Sequence, residues 1–455
     1  MNQISKNPDA DAPRDDARSA SKAAFLRERC VVPGGSMRAA SWFRPYPSYV
    51  GRGEGCWIYD LDESRILDCA NNFFSLVHGH AFPPVIEAIK KKLGGGTAFG
   101  LPTESEIQLA EVLRDRNPQF EQTRFCNSGT EAVMHAIKGA RGVTGRERIA
   151  KFEGCYHGAY DWVEVSLAPK PGEWDDADGN PRSIAGNVGA PASVLSQTVV
   201  LPFDNPSRCE EILEREGPTL AAVILDTNAS RAGMVPVSRE TAGVVQRACE
   251  RHGIILIVDD VISYRLSVAG SAPLYGLHPD LITTAKIIGG GMPIGAVSGR
   301  ADVMSVFNHA DGPPKVSIGG TFSGNPLSMA AGLATLEHYD AAAVDRLNSK
   351  AEALRGKVNA SFAAAGVPAR LLGSGSLFRL HLTTKPVTDY RSAYADAALS
   401  KVYAKIQLDM LTDGVLLTPN CSGALSTPMT DVEVNVVSEL LTKHTRRAMD
   451  AAESA

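Results

Sequence analysis

The 455-residue chain lacks the features that mark membrane, secreted and nucleic-acid-binding proteins. No apolar run approaches the roughly 18 residues of a membrane-spanning helix, and the first 20 residues contain no apolar core ahead of a cleavage site. The 46 basic and 51 acidic residues give a formal net charge of -5, which provides no electrostatic footprint for nucleic acid. We therefore expect a cytoplasmic protein that binds neither membranes nor nucleic acid.

Cysteine is present but is not patterned. The eight cysteines occur singly, without a C-x-x-C pair, and indicate reduced and mostly buried thiols rather than a disulfide framework. His78 and His80 have no third ligand at a suitable spacing, so we predict no metal site. With 42 glycines, 27 prolines and 44% hydrophobic residues, the composition is that of an ordinary globular protein.

The order of predicted elements divides the chain into a tail and two domains. Residues 1–20 are polar and without periodicity, which predicts a disordered tail. Residues 86–320 are predicted to form a large domain. Residues 21–85 and 321–455 are predicted to form the N-terminal and C-terminal parts of a small α+β domain.

Helices alternate with short apolar segments between residues 104 and 318. The strand candidates are Thr123–Cys126, Arg148–Phe152, Ala221–Leu225, Ile254–Val258 and Leu281–Thr284. Such alternation is typical of a mainly parallel sheet flanked by helices. We predict an α/β fold for this part of the chain.

A strand followed directly by a helix is the first candidate ligand site. In RFCNSGTEAVMHAIKGAR the apolar segment ends just before Ser128, Gly129 and Thr130, where a helix begins. Free backbone N–H groups, the helix dipole, two hydroxyls and a glycine that permits close approach suit a phosphate. The alternative is that Ser128 only caps the helix, in a box with Glu131.

Two carboxylates end a second strand, in GIILIVDDVISYR. Asp259 and Asp260 follow a run apolar enough for the centre of a sheet, and α/β proteins bind ligands at the carboxyl ends of their strands. A magnesium-dependent nucleotide hydrolase is the rival interpretation. The chain contains no G-x-x-x-x-G-K-[ST] phosphate loop, which counts against it.

A lysine ends a third strand, in PDLITTAKIIGGGMPIGA. Most lysines are solvated, but Lys286 at the end of a buried strand can be a desolvated amine, the state that forms Schiff bases. Gly289, Gly290 and Gly291 follow it and allow the backbone to approach a flat ligand.

A phosphate site, an acid and an amine at strand ends match the three separate groups of pyridoxal 5'-phosphate. Lys286 would hold the aldehyde, Asp259 would keep the ring nitrogen protonated, and residues 128–130 would hold the phosphate. A dinucleotide is the competing cofactor, but no strand is followed by G-x-G-x-x-G. We predict pyridoxal phosphate.

Five segments together resemble the class III aminotransferases of fold type I, especially the branch of glutamate-1-semialdehyde aminomutase and the β-amino-acid (β-phenylalanine) aminotransferases. They are NSGTEA (127–132), KFEGCYHG (151–158), IVDDVISYR (257–265), PDLITTAKIIGGGMPIGA (279–296) and GGTFSGNPLSMAAG (319–332). The resemblance spans residues 30–445. It implies a large pyridoxal-phosphate-binding domain with a mainly parallel sheet, and a smaller α+β domain.

The resemblance also implies roles for individual cofactor-binding residues. Lys286 corresponds to the Schiff-base lysine, and Asp259 to the partner of the pyridinium nitrogen. Tyr156 and Val261 correspond to the two residues that sandwich the ring. His157 is expected to orient the ring pocket rather than to perform acid/base work, and residues 128–130 correspond to phosphate ligands.

One further residue implies an assembly. Thr321 resembles the threonine that family members donate to the phosphate of the neighbouring subunit's cofactor. The resemblance therefore implies a homodimer with shared active sites.

Departures from the family bear on the substrate. Where the family commonly has Glu-Pro, the chain has Asp226 and Thr227, followed by Arg231 at a position that faces substrate in several relatives. Arg38 matches an arginine that the β-amino-acid enzymes use on a substrate carboxylate, whereas Asn420 stands where those enzymes carry a carboxylate-binding arginine. Both arginines of this chain are equally interpretable as surface ion-pair residues.

We therefore predict an aminotransferase that moves an amino group between an amino acid and a keto acid such as 2-oxoglutarate or pyruvate, with β-amino acids among the candidate donors. An intramolecular aminomutase is the alternative within the family, although LLTPNCSGALSTP is too short for the glutamate region typical of that enzyme. A binding protein without activity is a further alternative. The sequence does not select the donor, the acceptor or the stereochemistry.

Overall fold

The computed structural model describes residues 19–453, so most of the predicted disordered tail, residues 1–20, lies outside the described residues. The chain divides into two compact units. The large unit comprises Pro83–Arg346 and Lys385–Tyr394, and the small unit comprises the chain up to Phe82, Leu347–Thr384 and the residues from Ala395 onward. Within residues 19–453, no helix combines the length and the apolar character needed to cross a membrane.

The strands of residues 19–453 form three sheets. In chain order they are β1 (Val50–Glu54), β2 (Trp57–Asp60), β3 (Arg65–Asp68), β4 (Gln122–Cys126), β5 (Arg148–Phe152), β6 (Thr198–Leu201), β7 (Leu220–Leu225), β8 (Ile255–Asp259), β9 (Leu281–Ala285), β10 (Gly295–Gly299), β11 (Arg370–Leu372), β12 (Leu377–His381), β13 (Val415–Leu416) and β14 (Ser422–Ala424).

The helices flank these sheets or connect their strands. In chain order they are α1 (Ala20–Glu28), α2 (Asn71–Phe74), α3 (Pro83–Leu93), α4 (Glu104–Arg116), α5 (Gly129–Thr144), α6 (Asp161–Glu164), α7 (Ala192–Ser196), α8 (Pro206–Glu216), α9 (Arg239–His252), α10 (Ala301–Met304), α11 (Pro326–His338), α12 (Ala341–Ala364), α13 (Ala397–Thr412) and α14 (Asp431–Glu453). The element α2 is a single turn with left-handed backbone dihedrals.

The large unit is built on a seven-stranded sheet in the order β4, β10, β9, β8, β7, β5, β6. The strands from β9 to β6 pair in parallel, and β10 runs antiparallel to both β9 and β4. Every residue of β7, β8 and β9 is buried, as expected for strands covered on both faces. The predicted α/β fold with a mainly parallel sheet is confirmed.

All five predicted strands of this sheet are present, but β6 and β10 were missed. The β6 segment is only four residues long, and a short apolar run does not by itself distinguish a strand from other buried structure. The β10 segment reads GAVSG, and glycine at both ends gives it weak strand propensity. It forms a strand because β4 and β9 pair with it on both sides.

The small unit contains two sheets and long helices. Its four-stranded sheet has the order β1, β2, β3, β13, and its three-stranded sheet has the order β11, β12, β14. The strands β2 and β3 lie on either side of the DLDES turn and pair antiparallel. Three separate segments of the chain form this unit, so strands distant in sequence, such as β3 and β13, become neighbours.

The boundaries of the units differ from the predicted ones at one end. The first boundary follows Phe82, close to the predicted residue 85, but the large unit continues to Arg346 instead of ending at residue 320. The reason is α11, which packs against α3, α4 and the turn Lys286–Gly289 of the large unit. A second segment, Lys385–Tyr394, also belongs to the large unit.

The packing of α11 on the turn Lys286–Gly289 predicts the effect of adding one methyl group. A Cβ at Gly332 would lie 2.1 Å from the carbonyl oxygen of Ile288 and 3.1 Å from Leu109. Gly332→Ala should therefore push the helix off the turn and cost about 1–3 kcal/mol of stability. A lowered midpoint of thermal unfolding, measured at one heating rate, would show this loss.

Gly356 provides the matched control, because it lies exposed in α12 with open space where a Cβ would be. Gly356→Ala should leave the midpoint unchanged or raise it slightly. Equal midpoints for the Gly332 variant and the wild type would contradict the packing described for α11.

Candidate active site

Five loops of the large unit meet at one edge of the seven-stranded sheet. β5, β7, β8 and β9 are parallel, and β4 runs in the same direction because β10 reverses between it and β9. The carboxyl ends of these strands therefore lie on the same edge, where α/β proteins form ligand sites. The residues at or shortly after the strand ends include Ser128, Tyr156, Asp226, Asp259 and Lys286.

Asp259 ends β8 and is almost completely buried. Its Oδ1 accepts hydrogen bonds from the Val261 amide at 3.0 Å and from the Thr283 hydroxyl at 3.1 Å. Its Oδ2 lies 2.6 Å from Nδ1 of His157. Because three partners hold the carboxylate, its position is fixed at the end of the strand.

The contact between His157 and Asp259 crosses the sheet. His157 follows β5 and Asp259 ends β8, and the end of β7 lies between them. The His157 ring is buried, and within residues 19–453 its Nε2 has no hydrogen-bond partner. The structure thus connects His157 directly to the acid, which fits an orienting role.

Asp260 points away from this pair. Its Oδ2 accepts a hydrogen bond from the Ser271 amide at 2.9 Å, and its Oδ1 accepts one from the Ser271 hydroxyl. Burial raises the pKa of Asp260 to about 7. The DD pair therefore divides into Asp259 at the sheet edge and Asp260 as a buried anchor for the following loop.

Asp226 is a second buried carboxyl group that sequence reasoning treated only as a departure from the family pattern. It follows β7 directly, and its Oδ1 accepts hydrogen bonds from the Ser263 hydroxyl and the Asn228 amide, both at 3.0 Å. Burial and the nearby charge of Asp259 raise its pKa. The rule that identified Asp259, an acid at the end of a buried strand, would have identified Asp226 as well.

Lys286 begins the turn that follows β9, and it is partly buried. Burial lowers the pKa of its ammonium group, while the charges of Asp259 and Asp226 act in the opposite direction. Its φ is +54°, in the left-handed region that costs a non-glycine residue on the order of 1–3 kcal/mol. The amine is therefore less strongly protonated than an ordinary lysine and has a constrained backbone.

The residues Ser128–Thr130 begin α5. The Ser128 hydroxyl accepts a hydrogen bond from the Glu131 amide at 3.1 Å, and a Glu131 carboxylate oxygen accepts one from the Asn127 amide at 2.8 Å. The capping role considered from the sequence is therefore present. The amides of Gly129 and Thr130, in the first turn, have no partner within the helix, so capping leaves two donors for an anion.

Gly129 lies directly against Val261. A Cβ at Gly129 would be 3.0 Å from both Val261 methyl groups and 3.4 Å from the Cβ of Ala285. The missing side chain allows the start of α5 to approach the end of β8. Val261 therefore lies beside the amides that could bind an anion, as well as two residues after Asp259.

Tyr156 lies in the same region with 42% of its surface exposed, so its ring is accessible to a ligand. Partial burial raises its pKa, and the positive charge of Arg231 lowers it. Arg231 is itself exposed. The structure thus brings the predicted substrate-facing arginine near the predicted ring-stacking tyrosine.

A clamp that the sequence did not reveal holds the start of the Tyr156 loop. Arg391 donates to both carboxylate oxygens of Glu153, at 2.6 and 3.1 Å, and also pairs with Asp175 at 2.8 Å. The Tyr390 ring lies over Gly154, where a Cβ would be only 2.3 Å from it. Because Arg391 follows Glu153 by 238 residues, no local pattern linked the two.

Thr321, Arg38 and Asn420 lie in segments other than these strand-end loops. Thr321 is exposed, in a loop whose Ser323 hydroxyl lies 3.5 Å from the Asn127 side chain. Arg38 is exposed in the small unit, where it donates to Asn72 at 2.7 Å. Asn420 accepts hydrogen bonds from two hydroxyl groups of its own loop.

The sequence profile of the family described as "Aminotransferase class-III" matches residues 39–424. The chain belongs to the class-III aminotransferases. Its cofactor is pyridoxal phosphate, as predicted, and the prediction of an enzyme is confirmed.

Relatives with established names cover nearly the whole chain. A glutamate-1-semialdehyde 2,1-aminomutase of Sorangium cellulosum is 38% identical over 413 residues, which are 90% of this chain and 91% of the relative. An omega-transaminase from Sphaerobacter thermophilus is 42% identical with a TM-score of 0.93, over 95% of this chain and 99% of that chain. A β-phenylalanine aminotransferase from Variovorax paradoxus is 30% identical with a TM-score of 0.82, over 94% of each chain.

The residues at the sheet edge fit this cofactor. A partly buried amine, a buried carboxylate and two first-turn helix amides could each serve one of its groups: the aldehyde, the ring nitrogen and the phosphate. Gly129 approaches Val261 so closely that a side chain at position 129 would not fit between the start of α5 and Val261.

The raised pKa of Asp260 predicts a pH-dependent difference in stability. An unfolded aspartate loses its proton near pH 4, whereas Asp260 in the folded chain retains it up to about pH 7. Between these values the folded state binds more protons, so this group makes the folded state less stable as the pH rises. Asp260→Asn stays neutral and removes the dependence.

The measurement is the unfolding midpoint of Asp260→Asn minus that of the wild type, at intervals between about pH 4 and pH 8. The difference should increase in favour of the variant up to about pH 7 and then level off. A difference in midpoint that is constant across this range would contradict the conclusion that Asp260 stays protonated in the folded chain up to about pH 7.

Proposed function

We propose that this chain transfers an amino group between an amino acid and a keto acid such as 2-oxoglutarate or pyruvate. The observation that carries the proposal is the meeting of Lys286, Asp259 and the start of α5 at one sheet edge. Bound pyridoxal phosphate supplies an aldehyde that reacts with amines and a ring that withdraws electrons from the carbon bearing the amine.

Lys286 has the properties of the group that holds the cofactor and moves the proton. Burial disfavours its ammonium form, so its Nζ becomes a neutral amine more readily than that of a solvated lysine. A neutral Nζ is the form of the lysine that would hold the cofactor. As a free amine, Lys286 would accept the proton from the donor's carbon and return it as a general acid.

Asp259 would pair with the ring nitrogen of the cofactor, and His157 would orient Asp259. The Asp259 carboxylate stabilises a protonated nitrogen by charge, in a buried site where electrostatic attraction is stronger than in water. His157, at 2.6 Å, fixes the direction in which Oδ2 faces. Tyr156 and Val261 are the proposed contacts for the two ring faces, and residues 128–130 are the proposed phosphate ligands.

The donor is proposed to be a carboxylated amine, with β-amino acids included. The β-phenylalanine aminotransferase among the similar structures supports this class. Arg38 is the proposed carboxylate ligand because a guanidinium can bind both carboxylate oxygens at once. Arg231, whose charge acts on Tyr156, is a second candidate for contact with the substrate.

The enzyme is further proposed to be a cytoplasmic homodimer in which Thr321 reaches the partner's cofactor phosphate. Phe322, next to Thr321, is 60% exposed, and Phe99 and Leu101 are 53% and 79% exposed. Large exposed apolar side chains are typical of protein interfaces. The eight free cysteines fit a reducing compartment. Measuring the mass of the protein in solution would determine its oligomeric state.

An aminomutase is the second candidate, favoured by the 38% identity to the Sorangium cellulosum enzyme. An aminomutase would convert a single amino substrate without any added keto acid. An aminotransferase requires both partners. Screening α-, β- and ω-amino donors with and without pyruvate or 2-oxoglutarate therefore separates the two.

Replacing Lys286 tests the mechanism. Lys286→Ala removes the amine that joins the cofactor to the chain, so the visible absorbance band of the covalently held cofactor should disappear and amino transfer should fall to background. Lys138→Ala, which removes an exposed lysine of α5, is the control and should keep both. An unchanged band in the Lys286 variant would exclude this lysine.

Replacing Arg38 tests the substrate class. Arg38→Ala should raise KM for carboxylated donors and leave simple amine donors unaffected, because only the former lose a bidentate partner. Arg52→Ala is the control, since Arg52 is a comparable exposed arginine that stacks on Tyr59. Equal losses for both kinds of donor would remove Arg38 from the carboxylate site.

A further inference from the structure

The turn Asn71–Phe74 has a strained backbone. Its four residues have φ values of +47°, +47°, +56° and +70°, and none is glycine. A left-handed conformation costs an ordinary residue roughly 1–2 kcal/mol, so a run of four persists only if surrounding contacts hold it. Such strain is found where a fold must place side chains for function.

Buried contacts within the small unit hold this turn at its start. The Asn71 amide donates to Asp68 at 2.8 Å, and the Asn71 side chain donates to the carbonyl oxygen of Ala424 at 2.7 Å. The Ser75 hydroxyl donates to the carbonyl oxygen of Asn72 at 2.9 Å. Asp68 is in turn held by His80 at 2.8 Å.

The turn presents two consecutive side chains to one arginine. The side-chain carbonyl of Asn72 accepts a hydrogen bond from Nη1 of Arg38 at 2.7 Å. The Phe73 ring lies 5.6 Å from the centre of the same guanidinium group. One edge and one face of the Arg38 guanidinium are therefore in contact with the strained turn.

The other edge of the guanidinium is available. Within the described part of the chain, the Arg38 guanidinium donates a single hydrogen bond, to Asn72, and the side chain is exposed. The Nε and Nη2 groups form the fork that matches a carboxylate. Because asparagine is neutral, Asn72 orients the guanidinium without neutralising the charge that attracts an anion.

We propose that Asn72 is a positioning residue for Arg38, and that the left-handed turn serves to place it. The inference rests on the proposed function, in which Arg38 binds the carboxylate of the amino donor. Asn72 restricts the long arginine side chain before substrate arrives, so less conformational entropy is lost on binding.

Two substitutions of Asn72 test its hydrogen bond to Arg38 separately from the backbone strain and from the charge on Arg38. Asn72→Gly removes the acceptor but suits φ of +47°, so the turn should still form. Asn72→Asp keeps an acceptor but pairs its own carboxylate with Arg38. Both should raise KM for carboxylated donors, by about tenfold for the glycine variant, with kcat changed far less.

Donors without a carboxylate provide the internal comparison, and their KM should not change in either variant. A second measurement does not depend on turnover: calorimetric binding of 3-phenylpropanoate to the holoenzyme should weaken in parallel. Asn435→Ala is the matched control, because Asn435 is exposed and accepts a hydrogen bond from Lys357 at 2.8 Å. It should leave both measurements unchanged.

Combining substitutions distinguishes the possible failures. In an Arg38→Ala background, Asn72→Gly should have no further effect, because there is nothing left to position. An additive loss would overturn the inference, as would a normal KM in Asn72→Gly when Arg38→Ala raises it. If Arg38→Ala itself leaves carboxylated donors unaffected, the proposed substrate site fails and this inference fails with it.

Discussion

The Asp259 carboxylate is the group on which the site depends. It is buried at the end of a central strand, and an unpaired charge there would be costly. The fold meets this cost with donors from three different elements: Val261 in its own loop, Thr283 on the neighbouring strand, and His157 beyond β7. The same contacts that stabilise the carboxylate also fix the direction in which it faces, so stability and function share one set of hydrogen bonds.

Bringing the other groups to this carboxylate requires close approach of backbones. Gly295, at the start of β10, leaves no space for a Cβ, which would lie 2.1 Å from the Ser128 carbonyl oxygen. A Cβ at Gly129 would likewise crowd Val261, and a Cβ at Gly158 would crowd Thr130. Glycine is needed at these positions because two loops occupy the space of one side chain. The start of α5, Val261 and Asp259 are thereby held close together in the large unit.

Much of this could be read from the sequence, because strands and their ends are local features. Asp259 ends the apolar run ILIV and Lys286 follows the segment LITTA, which is rich in β-branched residues. Both segments are recognisable as strands, and parallel strands bring their ends to one edge. The strand β10 could not be read, because its pairing with β4 and β9 outweighs the weak propensity of GAVSG. The pairing of Arg391 with Glu153 was equally inaccessible, since it depends on how a distant segment returns to the large unit.

The strained backbone shows a second limit on what can be predicted from the sequence. Lys286 and the turn Asn71–Phe74 adopt left-handed conformations that their residue types disfavour, and a sequence pattern assigns such conformations to glycine or asparagine. Asn71 and Asn72 agree with that preference, whereas Phe73, Phe74 and Lys286 do not. For these residues the conformation is imposed by packing and hydrogen bonds that form only in the folded chain. The strain is therefore a product of tertiary structure, and it occurs at Lys286 and beside Arg38, the two side chains proposed to hold the cofactor and the donor carboxylate.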